Sequence, residues 1–399
     1  MKEKKVSLRE LLIGIYSFLL FNTAFININN NILFYIINCM TFIITFFLYI
    51  IFFSQIIQKC SKIIIFLLIT FLALVIYSLS VNNPTNFSID GYLPVIRLAM
   101  ILFSTSIGFF ILLEKKYAYI LINVFFLTLI FYCLANDLIF IPHFTSFNSS
   151  QMYLLGNKFN VAYLHLELLC FYFLKISFVN RKPKSVITLV FIIFYTLFID
   201  ILIDCISGIV GLIICLLIIY VIPKKITVNP ISWLIVWGIS SLVPFLYQKI
   251  VESSLYQNIV LGTLNRSITM TGRMNIYKEV PFIMYDHWKW GYGWNNSYNI
   301  VYNYMKMPDM QNGTLDLVLQ IGIMGALLYF LIVFVTFYKI DKSNKSYDLL
   351  PVISLIYAFT VLSSFEVTFD TTFLTICILC AMFEKNYNEL SDMDDASVK

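Results

Sequence analysis

The residues best equipped for chemistry lie in one segment. Between Gln248 and Asn312 run about sixty residues too polar to cross a bilayer, and they contain Arg266, Arg273, His287, three tryptophans and many tyrosines. A guanidinium is a planar fork that grips oxyanions in pairs and keeps its charge. Arg266 and Arg273 are seven residues apart, so they share a face if the segment is helical. An imidazole titrates in the range useful to a general base, and His287 follows Asp286 just before an aromatic G-x-G, Gly291-Tyr292-Gly293. A lone loop histidine is also an ordinary solvated or structural residue. Asp309 and Asp316 are alternative bases, Asp316 falling about one helical turn after Asn312. Gln311 and Asn312 can orient a hydroxyl or a phosphate, or simply cap the helix that follows. Gly291 and Gly293 fit a tight turn, and Gly322 and Gly325 fit close helix packing. The aromatic residues suit either a membrane interface or the faces of sugar rings. No clustered carboxylates or histidines mark a metal site in this segment, and neither metal nor cofactor is expected.

The elements that position this segment are membrane helices. The 399 residues are 60% hydrophobic and 12% charged, against roughly 45–50% and about 25% in soluble domains. Such a chain lacks the polar surface to face water. The net charge of +5 is spread in small clusters between apolar runs, a topology signal rather than a nucleic-acid footprint. Most of the eight cysteines stand in apolar runs as small hydrophobes, for example Cys39, Cys133, Cys170 and Cys215. The Cys377-x-x-Cys380 pair is one turn of a hydrophobic helix. No cleavable signal is expected, and the first apolar run reads as a membrane helix. The Phe, Ile, Tyr, Asn and Lys bias resembles the translation of an AT-rich bacterial genome.

Taking about 20 apolar residues per crossing, about twelve spans are expected, near 10–26, 32–53, 63–80, 94–113, 117–137, 160–179, 186–203, 207–222, 231–248, 314–338, 349–365 and 371–384. The apolar run 186–222 is too long for one crossing and is expected to break at Asp200, Asp204, Ser207 and Gly208. The predicted fold is an all-α polytopic bundle, one transmembrane domain over 1–399, with a long external loop at 249–312 between the ninth and tenth spans. Lys2, Lys4, Lys5 and Arg9 precede the first span. Alternate loops then carry Lys59 and Lys62, Lys115 and Lys116, Arg181 with Lys182 and Lys184, Lys224 and Lys225, and Lys339 with Lys342 and Lys345. The positive-inside rule puts these clusters and both termini in the cytosol. The even span count agrees. Arg97, Glu167, Asp200, Asp204, Glu366 and Asp370 fall inside or beside the spans, where charge is costly and by default functional. Most of them stand near expected helix ends, where capping or snorkelling accounts for them.

From Arg273 the chain reads R-M-N-I-Y-K-E-V-P-F-I-M-Y-D-H-W-K-W-G-Y-G-W, and later Q-N-G-T-L-D-L-V-L-Q-I-G-I-M-G. It resembles the signature of the O-antigen ligase and Wzy-type polysaccharide polymerase superfamily: an arginine with an aromatic four residues on, a G-x-G, then a H-N-x-x-L run leading into a G-x-x-G helix. Arg273, Tyr277, Gly291, Gly293, Asn312, Leu315, Gly322 and Gly325 meet that frame. Gly156 to Asn160 resembles a G-x-x-N family element, and Ser207-Gly208 stands where many members have Ser-Arg. The motifs cover the second half of the chain, and helix count covers the first. Two positions depart: Gln311 replaces the ligases' histidine and cannot act as a base, and Gly208 replaces an arginine. Both favour the polymerases over the ligases.

The resemblance implies a metal-independent glycosyl transfer between undecaprenyl-pyrophosphate-linked oligosaccharides at the outer leaflet of a bacterial plasma membrane. An acceptor hydroxyl would attack the anomeric carbon and undecaprenyl pyrophosphate would leave. Under that scheme Arg273, Arg266 and Arg97 would hold the pyrophosphate, Arg97 replacing the cation lost at Gly208. Gln311 and Asn312 would contact substrate, and His287 or Asp316 would take the proton. Fixed charges of this kind are worth several kcal/mol of barrier. The lipid bilayer is the solvent, a flippase and a chain-length regulator are candidate partners, and nucleic acid is not. A ligase of the same superfamily, or a transporter of lipid-linked oligosaccharides, are the competing readings.

Overall fold

A computed structural model describes residues 7–26, 32–82, 89–115, 117–140, 153–178, 183–254, 273–342 and 348–383. Its described regular structure is helical apart from an isolated bridge between Tyr153 and Gly156. In chain order the helices are α1 (Leu8–Phe25), α2 (Ile32–Ile51), α3 (Phe53–Lys59), α4 (Lys62–Asn82), α5 (Ile89–Glu114) and α6 (Ala118–Phe140). Next come α7 (Lys158–Phe178), α8 (Pro183–Leu202), α9 (Ile206–Tyr220), α10 (Lys224–Thr227) and α11 (Pro230–Glu252). The chain ends with α12 (Arg273–Ile283), α13 (Ser297–Met305), α14 (Gly313–Asp341), α15 (Leu350–Leu362) and α16 (Thr371–Met382). In hydrocarbon every backbone polar group needs an internal partner, which makes helix the outcome for apolar runs of this length. Each of the stretches expected to cross carries a helix. Seven, in α1, α2, α4 to α7 and α14, are long and apolar enough to cross a membrane, and α8, α9, α11, α15 and α16 contribute shorter apolar segments. The chain is a multi-pass helical membrane protein.

The core is apolar as in a soluble protein, but the outer surface is apolar too, and hydroxyls lie buried within. Phe47, Phe66, Phe131, Phe191, Phe194 and Phe245 are exposed, while Thr41, Thr45, Ser78, Thr105, Thr336 and Thr375 are fully buried. The threonine hydroxyls are satisfied at short range: Thr45 and Thr105, for example, donate one turn back to Thr41 O and Ile101 O, both at 2.7 Å. Helices α15 and α16 are buried on nearly all sides and pack against α9, α7, α5 and α14. At about 1.5 Å per residue their 13 and 12 residues fall short of a full crossing. The intervening chain is non-helical yet buried at Ser363, Ser364, Glu366, Thr368 and Phe369. Irregular backbone at such depth is tolerated only inside protein or beside a cavity. Its bonds are made locally: Thr368 Oγ1 donates to Phe359 O at 2.7 Å, and the Tyr329 hydroxyl donates to Asp370 O at 3.0 Å.

The expected interruption of 186–222 is present. Helix α8 stops at Leu202, Asp204 takes a positive φ of 51°, and Cys205 N–H bonds back to Asp200 O before α9 begins. Gly208 lies where α9 meets Asp200 of α8 and Ala162 of α7. A Cβ there would fall 2.4 Å from Asp200 Oδ1 and 2.8 Å from the Ala162 methyl. Even a methyl overfills this contact, so glycine at 208 is a packing requirement. Gly208→Ala should destabilise the bundle by about 1–3 kcal/mol, the usual cost of overpacking. Thermal unfolding of the detergent-solubilised variant checks this, and an unchanged midpoint would contradict the packing.

Candidate functional site

Helix α14 is broken, and the break is occupied. At Gly322 the backbone takes φ 68°, ψ 179°, a region essentially reserved for glycine. The interruption frees carbonyls and amides that would otherwise pair within the helix. The aromatic G-x-G supplies the partners. Tyr292 N–H donates to Leu319 O and Gly293 N–H to Gln320 O, both at 2.8 Å, and Ile323 N–H donates to Trp288 O at 2.8 Å. The backbones touch so closely that a Cβ on Gly322 would fall 2.2 Å from Lys289 O. Helix α4 ties the seam from the side. Ser78 Oγ donates to Trp290 O and, at 3.2 Å, to Gln320 O, while Asn82 Nδ2 reaches Gly291 O. Trp290 packs edge-on against Tyr77, and Trp294 against Phe71. These tryptophans are anchors in α4, not free sugar platforms.

The segment has its own small core. Ile276, Val280, Ile283 and Met284 from α12 and its C-terminal turn pack with Val301 of α13, Met310, and Leu315 and Leu319 of α14. Across it the Tyr277 hydroxyl donates to Gln311 O at 2.9 Å. Gln311 takes φ 52°, and its N–H donates to Asp309 Oδ1 at 2.8 Å. Tyr277, one turn after Arg273, is therefore bonded to the segment Gln311-Asn312-Gly313.

The candidate residues separate into three groups. Arg273 is the first residue of α12, described through its backbone, and Arg266 lies outside the described residues. Asn312 is fully buried and spent on structure: Oδ1 caps α14 at Leu315 N, 2.9 Å, and Nδ2 donates to Ser364 O, 3.1 Å. Asp316 is 3% exposed, accepting from Ser297 Oγ and, at 2.7 Å, from Gln320 Nε2. Gln320 Oε1 in turn accepts from Asn295 N–H at 2.7 Å. Capping is thus the reading the geometry gives Asn312, and loop fixation the reading for Asp316. His287 is half-buried with its ring stacked on Tyr292, centroids 3.9 Å apart; burial pushes that phenol's pKa up, with Tyr304 and Asp286 adding to it. Arg97 stands on α5 with its guanidinium 5.5 Å from the Tyr35 ring of α2 and its Nε buried without a hydrogen-bond partner. Its contact is on α2 rather than with the docked loop. Gly325, expected at a helix contact, has Ile321 of its own helix as its nearest neighbour.

No family model and no curated protein matches the chain. Geometry and the motif frame therefore carry the functional argument. Sequence reasoning missed a buried network next to the Asp200 turn: His165 Nε2 lies 3.1 Å from Asp137 Oδ2, and the Tyr195 hydroxyl donates to the same carboxylate. A histidine and an aspartate inside apolar runs were the available signal. Of the intramembrane acids, Asp370 caps α16 through Phe373 N–H at 3.0 Å, as expected of a residue at a helix end. Glu167 lies well inside α7 and has no such duty.

If the seam at Gly322 holds the loop in place, Gly322→Ala should release it. The substitution adds about 1–3 kcal/mol of backbone strain to a direct clash with Lys289 O. Limited trypsin digestion should then cut after Lys289 much faster than in the parent protein. Equal cleavage rates would mean that the seam does not hold the loop.

Proposed function

We propose that this protein is a membrane glycosyltransferase of the Wzy type, joining undecaprenyl-pyrophosphate-linked oligosaccharide units at the outer leaflet and releasing undecaprenyl pyrophosphate. The observation that carries the reading is the convergence of the separated motif pieces. The aromatic after Arg273 bonds the Q-N-G backbone, the G-x-G fills the break at Gly322, and Gly313 N–H bonds Ser363 O at 2.8 Å. A twelve-span arrangement with both termini in the cytosol is consistent with this. The C-terminal ends of α5, α9 and α14, with Lys115 just after α5, Lys224 at the start of α10 after α9, and Lys339 within α14, lie opposite the docked loop, and Lys59 bonds Glu114 there.

Each group has a task under this scheme. The leaving pyrophosphate carries several charges beside a low-dielectric medium, and Arg273, with Arg266 and Arg97 as further candidates, neutralises it. The acceptor hydroxyl must lose its proton. His287 is the candidate whose side chain is not spent on a cap, whereas both oxygens of Asp316 accept hydrogen bonds from Ser297 and Gln320. Gln311 stays at the loop surface, its main chain fixed by Tyr277 and Asp309.

Purified protein supplied with an undecaprenyl-pyrophosphate repeat unit should produce a ladder of longer chains. Removing one charge-stabilising donor typically costs about 100–1000-fold in rate, so Arg273→Ala should abolish the ladder. Arg273→Lys should restore little, because it lacks the bidentate fork. A full ladder from Arg273→Ala would remove that residue from the site. A carrier for lipid-linked saccharides is the second reading, favoured by the broken α14 and the buried non-helical turn before α16. Translocation of the labelled lipid without elongation would select it. Orientation has a separate test: a cysteine replacing the exposed Tyr298 should react with a membrane-impermeant maleimide in intact cells, and protection would reverse the topology.

A further inference from the structure

The non-helical turn between α15 and α16 has two sides. One side holds the motif segment, through Asn312 Nδ2 to Ser364 O and Gly313 N–H to Ser363 O. The other side faces a cavity of about 260 Å³. Across it stand Asn160, Tyr163 and Glu167, which share one face of α7 by their spacing, opposite Thr368 and Asp370, with Phe359 as an apolar wall. The Tyr163 and Phe359 rings meet edge to face, centroids 5.3 Å apart. Two polar groups here lack partners. Glu167 is 3% exposed and its Oε2 has no hydrogen bond, and the buried Tyr163 hydroxyl has none either. An unsatisfied buried polar group is costly, and both of these line the same space. A single water needs only about 10–15 Å³, so the cavity accommodates a group of many atoms. Among the described residues, none that lines it is cationic, and no group of three or more His, Cys, Asp and Glu is gathered as a metal site.

Carboxyl, amide and hydroxyl groups interleaved with aromatic walls are complementary to a ring that carries hydroxyls on its rim and C–H groups on its faces. A phosphate or a uronate would bring a negative charge against Glu167 and Asp370 with no compensating cation. We infer that this cavity binds one uncharged, hydroxyl-rich saccharide ring, with Glu167 and Asp370 receiving its hydroxyls and Tyr163 and Phe359 packing on its face. The inference rests on the proposed function only for the molecule that brings the ring, which in that scheme is the acceptor chain. The shared turn then sets the acceptor sugar beside the motif segment, one wall away from Gln311.

Saturation-transfer NMR on the full chain in phospholipid nanodiscs, with neutral methyl hexopyranosides and the matching uronates as probes, tests this. Neutral glycosides should receive saturation and uronates should not. Glu167→Leu should cut the neutral signal about tenfold, the loss expected for a hydrogen bond to an ionisable group. Asp370→Asn should also weaken it while keeping the cap on α16, since asparagine caps as well as aspartate. Size-exclusion profiles and melting temperatures of both variants establish that they fold. No signal from any neutral glycoside, equal signals from uronates, or a signal indifferent to both substitutions overturns the inference, whatever the elongation assay gives. Glycoside binding through Glu167 without any ladder would uphold the cavity and reject the transferase reading.

Discussion

A break in a buried helix leaves amides and carbonyls that neither lipid nor distant water can satisfy, and the structure depends on how that need is met. At Gly322 the freed groups of α14 pair with the backbone of residues 288–293. In a medium where each unmade bond costs several kcal/mol, this is a strong constraint on where the polar segment can sit. A stretch that composition alone would leave as a loose external loop becomes part of the bundle wall. Helix α4 contributes Ser78 and Asn82 to the same seam, so three separate parts of the chain fix one another.

Position follows from that seam. With 288–293 pinned, α12 can lay Ile276 and Val280 against Leu315 and Leu319, and Tyr277 can reach Gln311 O. The start of α12, where Arg273 stands, is then held relative to the Q-N-G segment by packing rather than by chance. On the far side of Asn312 the buried turn before α16 repeats the device: irregular backbone, satisfied by side chains, beside a cavity. Both irregular stretches lie at one end of the bundle, where the chemistry-bearing residues are. Preorganised polar groups at such places are what transfer reactions beside a membrane require.

Much of the fold was legible because hydropathy and length dictate it. The helices fall on the apolar runs, and the turn at Asp204 was readable from two aspartates and a glycine in a run too long for one crossing. Gly291 and Gly293 announced a tight turn, but Gly322 read as a close helix contact and is instead the break in α14 that the turn fills. A period in sequence records local conformation, and pairing across more than two dozen residues leaves no local mark. Asn312 and Asp316 drew attention as chemical groups, yet their side chains are consumed by a cap and by Ser297 and Gln320. Residue type shows capacity and only geometry shows what is left over. Glu167 is the converse case: its type marked it, and its unpartnered oxygen facing a cavity gives the mark content.

Hydrogen exchange at single amides addresses the seam most directly. The N–H groups of Tyr292, Gly293 and Ile323 should exchange as slowly as amides in the middle of α14, since each is bonded across the break. Exchange at the rate of a free loop, with α14 itself still protected, would show that the segment is not docked and would remove the basis for a built site at this end of the bundle.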